Sequence, residues 1–250
     1  MRTYCTLTRR ELASFFVSLN GYVIIAAAVF LMGLSFVVML YDLQSEPTPI
    51  PITQLFFSTA FFWLIVLLAS PVITMRLFAL EKFSGTFETL MTTPVSDLQV
   101  VLAKFTAAMV FYLIMWLPLV AYIVILRHYT RDAGALDWGL IGGAFLGITL
   151  LGGLFMSLGC FASALTRTQI IAAMISFTLG FTLFLLSFLP SHMPWEMGWA
   201  GTVLSYFALA DHMNDFARGL VNTRFVVFYI SLAVFFLFLT LRVVESRRWK

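Results

Sequence analysis

Hydrophobic residues run through this chain in long unbroken stretches, and polar residues are confined to short segments between them. The stretches do not alternate at period two, which sets aside a transmembrane β-barrel. A helix crosses hydrocarbon with about 20 apolar residues. Six runs reach or approach that length, at 21–41, 55–75, 105–126, 138–165, 170–189 and 225–244. The first two hold no charge, and the last continues past Arg242, whose aliphatic stem allows its head to snorkel to the surface. The pattern predicts one all-α membrane domain over residues 1–250, with six spanning helices. Pro71 and Pro118 fall inside spans two and three and are expected to kink them unless neighbouring helices accommodate the missing N–H groups.

Composition agrees. Of 250 residues, 61% are hydrophobic and only 11% charged, with a mean hydropathy of +0.98. That leaves too little polar surface for a chain facing water on all sides. The distribution of positive charge sets direction, because Lys and Arg are in excess on the cytoplasmic side. Of the 15 Lys and Arg, all but Arg127, Arg131, Arg218 and Arg224 fall on the side that carries both termini. Both ends are therefore expected in the cytoplasm. Cys5 and Cys160 lie too far apart in sequence to suggest a metal motif or a disulfide framework.

Before the first span, Leu12, Phe15, Phe16 and Leu19 recur at helical spacing after Arg9, Arg10 and Glu11. This predicts an amphipathic helix lying at the inner membrane surface. The Arg pair loosely resembles a twin-arginine export signal, but no small-residue cleavage site follows it.

Between spans two and three, polarity is concentrated in EKFSGTFETLMTTPVSDLQVVLAKF, residues 81–105. Gly85 suits an N-cap, with Glu88 near the positive end of a short helix over 85–93. Phe83, Phe87, Leu90 and Met91 supply one apolar face, and Pro94 stops the helix. Ser96 to Gln99, SDLQ, reads as a capping box that starts the third span. Such a surface helix is either an ordinary polar connection or a shape that a partner's groove accepts.

On the other side, Asp211 suits an N-cap and Gly219 the position just past a helix end, giving a short helix from His212 to Arg218. His192, Glu196, Asp211, His212 and Asp215 are close enough in sequence to raise a metal site, but helix capping and solvated surface account for them without one. Span four carries Gly139, Gly143, Gly147, Gly152, Gly153, Ser157, Gly159 and Ser163, a small-residue face for close helix contact within one chain or between two. No G-x-x-x-x-G-K-[ST] phosphate loop occurs, no charged residue lies mid-span, and His128, His192 and His212 all fall in outer loops. These absences leave little support for an enzyme or an ion-coupled carrier, and nothing in the sequence calls for a cofactor.

The segment with Glu81, Gly85, Thr86, Glu88, Leu90, Pro94 and Val95, then Lys104 and Phe105, resembles the permease subunits of ABC-2 type transporters. The likeness extends to small six-span members such as gliding-motility and nitrous oxide reductase maturation permeases. Ala103 stands where that family usually has Gly before the Lys. Asp211 to Trp249 resembles the family's H-x-x-x-F-x-R-G segment, last span and tail, and the N-terminal RREL with Phe15 and Phe16 resembles its interfacial elbow helix. The resemblance implies that Glu81, Gly85, Thr86, Phe87, Glu88, Leu90, Met91 and Pro94 form a coupling helix and its supports, seated in a cleft of a cytoplasmic ATPase. It implies an outer gate containing His212, Phe216, Arg218 and Gly219. The expected partners are ABC ATPase subunits, a second permease copy or paralogue, membrane lipid and a periplasmic accessory protein, with no nucleic acid. A secondary carrier or channel without an ATPase is the alternative, and a membrane scaffold without transport is a third reading.

Overall fold

The computed structural model describes residues 2–45, 52–87, 95–129, 138–189 and 205–248. Their helices are α1 (Arg2–Val17), α2 (Leu19–Ser45), α3 (Ile52–Ser58), α4 (Ala60–Thr74), α5 (Ala79–Ser84), α6 (Asp97–Tyr129), α7 (Trp138–Leu165), α8 (Gln169–Leu186), α9 (Leu209–Ala217) and α10 (Thr223–Arg248). Among the described residues there is no strand, and six helical segments are long and apolar enough to span a membrane. The protein is an all-α membrane protein, as the hydrophobic runs predict.

The spans are not equivalent. Two-thirds of the most apolar window is buried in spans two and four (67% each), against 11% in the last. The bundle is therefore organised around α4 and α7, with other helices presenting broad outer faces. Lipid is as apolar as a leucine side chain, so such packing depends on close van der Waals fit. The small residues of α7 supply it within the chain. A Cβ on Gly159 would lie 2.1 Å from Thr74 Oγ1 of α4, and one on Gly152 would lie 2.2 Å from the Tyr112 ring of α6. A Cβ on Gly143 would come within 2.6 Å of the Phe216 carbonyl of α9. Of the two uses open to the glycine face, the intramolecular one is observed.

Span two departs from expectation. It is not continuous over 55–75 but breaks at Thr59, whose extended backbone (φ −71°, ψ 142°) separates α3 from α4. Thr59 Oγ1 donates to the Phe56 carbonyl at 2.7 Å, and it also hydrogen-bonds Ser35 of α2 at 2.9 Å. These contacts supply polar partners at a break within an apolar region. Helices α4 and α6 both continue through their prolines, Pro71 and Pro118.

The last described turn before the final span is also resolved by hydrogen bonding. Helix α9 starts three residues earlier than the sequence suggests, with Ala208 rather than Asp211 at its N-cap, and Asp211 lies in its first turn. Its C-terminus follows the expectation. Gly219 is left-handed (φ 74°), its N–H donates to Phe216 O at 3.0 Å, and Leu220 N–H donates to Asp215 O at 2.9 Å. This is a Schellman ending. A Gly219→Val substitution should destabilise the protein by about 1–2 kcal/mol through left-handed strain alone. Gly219→Asn should lose much less. Thermal unfolding of both variants in detergent checks the difference.

Candidate functional site

Where α4 ends, a helix terminus must be satisfied beside the membrane. Ser163 of α7 meets that need. Its hydroxyl accepts from the N–H groups of Phe78 and Ala79, both at 3.1 Å, and donates to Met75 O at 3.2 Å. The start of α5 is thereby capped by a side chain from span four. Lys82, one turn on, donates to the Ala164 carbonyl near the C-terminal end of α7, where the helix dipole favours a cation.

Gly85 then turns the chain. It is left-handed (φ 73°) and ends α5, so it is not simply the N-cap of the helix after it; helical backbone resumes at Thr86 and Phe87. The turn also divides the predicted apolar face. Phe83 is 75% exposed, whereas Phe87 is buried with Lys82 Nζ 5.3 Å from its ring centre. Periodicity could not reveal this, because it assumes a continuous helix across Gly85. Thr86 hydrogen-bonds Ser84 at 2.8 Å. Glu88, Leu90, Met91 and Pro94 lie outside the described residues. After the undescribed residues, Ser96 precedes α6, and its Oγ accepts from Gln99 N–H at 3.3 Å, the N-cap that SDLQ predicts.

The residues flanking this connection converge. Lys104 is almost fully buried (2% exposed) in the second turn of α6. Its ammonium lies 2.9 Å from Glu81 Oε1 of α5 and 3.2 Å from Glu11 Oε2 of α1, with the Phe78 ring 5.5 Å away. Arg10 closes the group, 2.7 Å from Glu11 Oε1 and 3.4 Å from Glu81 Oε1. Two carboxylates thus share two cations and tie three helices together. Sequence reading found Glu81 and Lys104 within one motif, but not their contact, nor the part played by Glu11.

Helix α1 is fixed by the same region. Phe15 stacks on Phe111 of α6 with ring centres 4.7 Å apart, and Phe16 meets that ring edge-on. Leu19 does not share the packed face. It lies beyond the bend at Ser18 and is 77% exposed. Ser18 Oγ in turn accepts from Arg76 Nη1 at 2.8 Å.

At the opposite end of α7, the other predicted site residues gather on α9. Phe216 is fully buried against Gly143 and Gly147. Arg218 Nε donates to Gln54 Oε1 at 3.0 Å, and Thr53 Oγ1 donates to Ala217 O at 2.7 Å, clasping α3 to the end of α9. His212 lies in α9 and is buried. It stacks on Phe225 with ring centres 3.8 Å apart, and its Nδ1 has no hydrogen-bond partner among the described residues. Burial, reinforced by the Arg224 charge, pushes its pKa down to about 4. Asp211 is exposed, Asp215 partly buried, and no metal-holding group of three His, Cys, Asp or Glu occurs among the described residues. His192 and Glu196 lie outside them.

A bundle of six spans, with a capped helix between spans two and three tied to an N-terminal helix, now stands beside one decisive comparison. The family model for ABC-2 family transporter proteins matches residues 34–197. The chain belongs to that family. This ABC-2 protein is a multi-pass permease, the transmembrane component of an ABC transporter. No curated protein matches the chain.

Replacing Lys104 with Met should leave Glu11 and Glu81 without their shared buried cation, destabilising the permease by about 3–5 kcal/mol. Adding Glu81→Gln and Glu11→Gln should recover part of the loss in a detergent unfolding measurement. His212 gives a pH signature of the opposite kind. Its folded pKa is depressed, so the unfolded chain takes up the proton first, and stability is lost as pH falls through about 6.5 toward 4. Between pH 7 and pH 5 the unfolding temperature of the wild type should therefore fall more than that of His212→Phe.

Proposed function

We propose that this permease is driven by a separate cytoplasmic ATPase, which seats the 85–94 segment in a cleft and moves it as ATP is bound and hydrolysed. The observation that carries this reading is the ion-paired junction of Glu11, Glu81 and Lys104. It stands immediately beside that segment, and force applied there reaches α1, α5 and α6 together. Lys82 and Ser163 extend the same connection to α7.

Two permease copies, or this chain and a paralogue, pair in the bacterial inner membrane with both termini in the cytoplasm. Motion of α7 is passed to α9 at the far side, because Phe216 is seated on its glycines. Helix α9 and its clasp with α3 then act as an outer gate, for export of a substrate or for a mechanical signal to a periplasmic partner. In this mechanism Glu81 braces the coupling segment from behind, and Glu88, Leu90 and Met91 provide the docking surface.

Glu88→Lys and Leu90→Asp should each lower ATPase co-purification severalfold without changing the amount of permease in the membrane. Cross-linking between the segment and the ATPase should fall in parallel. A full complement of ATPase on both variants, with transport still coupled, would refute the docking role.

A further inference from the structure

The charged junction borders a cavity of about 570 Å³, open on one side and enclosed by α1, α5 and the start of α6. Its depth is defined by the chain itself. Helix α2 begins its apolar run at Leu19, α4 ends at Thr74, and α6 turns apolar after Lys104. The cavity is therefore level with the ends of three spans, where lipid headgroups meet water. Its walls are two-sided in character: Phe15, Leu77 and Leu80 on one part, Arg10 and Arg76 on another.

Charge within it does not balance. Glu11 and Glu81 are both engaged by Lys104 and Arg10, whereas Arg76 makes no ion pair among the described residues. The hydrogen bond of its guanidinium goes to Ser18 Oγ through Nη1, leaving other donors unused. Arg10 forms its contacts through Nη2 alone. The group of five charges thus carries one net positive charge, with two guanidiniums offering free N–H groups above an apolar floor. A monoanion with tetrahedral oxygens and an apolar body matches both halves. Basic pockets between spanning helices at the headgroup level bind phospholipids on these terms.

We propose that this cavity binds the phosphodiester headgroup of a membrane phospholipid between Arg10 and Arg76, with the glycerol and first methylenes against Phe15, Leu77 and Leu80. The lipid fills the angle between the N-terminal helix and the spans, and completes the charge balance of the junction. The site requires no ATPase, so it stands or falls separately from the coupling mechanism.

The test uses the full-length permease, delipidated in detergent and titrated with dioleoyl phosphatidylglycerol, with retained lipid read by native mass spectrometry. Wild type should hold one phosphatidylglycerol. Arg76→Gln and Arg10→Gln should each reduce retention about tenfold, the loss of one charge-assisted contact, and Arg76→Lys should retain more than Arg76→Gln. Dioleoylglycerol, which has the chains without the phosphate, should not be retained. Glycerol phosphate, which has the headgroup without the chains, should displace the lipid only at large excess. If Arg76→Gln does not fold, Ser14→Asp leaves the Ser18 bond in place, sets a carboxylate in the cavity wall and should produce the same loss. Equal retention of dioleoylglycerol overturns the proposal, as does unchanged retention in Arg10→Gln and Ser14→Asp. Displacement by equimolar glycerol phosphate would identify a soluble-anion site and overturn it too. So would an Arg76→Gln protein that keeps its lipid but loses its ATPase, since the cation would then serve a protein partner.

Discussion

A helix that stops at the edge of hydrocarbon leaves N–H and C=O groups that water cannot readily satisfy, and protein must satisfy them. At the end of span two, one hydroxyl does so. Ser163 engages Met75 O together with the N–H groups of Phe78 and Ala79. This is possible only because α4 and α7 lie very close, and they do so because residue 159 has no side chain to meet Thr74. The position of α5, and with it Glu81, follows from that approach. Without it the junction of Glu11, Glu81 and Lys104 would not assemble.

Helix α7 consequently serves both faces of the membrane protein. At its C-terminal end it holds the segment that enters the inter-span connection, through Ser163 and the Ala164 carbonyl. Toward its N-terminal end, Gly143 and Gly147 seat Phe216 of α9. Closely packed interiors transmit displacement because they leave no slack to absorb it. A single buried helix joining the two predicted functional regions is thus the shortest route between them.

The cluster around Lys104 illustrates why charge is tolerated beside apolar spans. A buried ammonium is costly alone, but two carboxylates and an aromatic face surround this one. Lys104 and its two carboxylates come from three different helices, so the cluster also specifies one arrangement of those helices. His212 is the contrasting case. It has aromatic neighbours and, among the described residues, no carboxylate partner, and it is held neutral.

The sequence by itself determined the class of fold. Unbroken apolar runs allow only spanning helices, and their number was legible, as were the N-cap at Ser96 and the left-handed Gly219. These features depend on neighbours in sequence. Family membership was likewise legible in the motif around Glu81 and Lys104. What tertiary structure decided was every contact between distant segments: the partners of Lys104, the use of the glycine face within one chain, the break at Thr59, and the burial of His212. Gly85 marks the boundary between the two. Its residue type announced a special backbone conformation, but whether it would open one helix or close another depended on Ser163, 78 positions away in the sequence, capping the helix that precedes it.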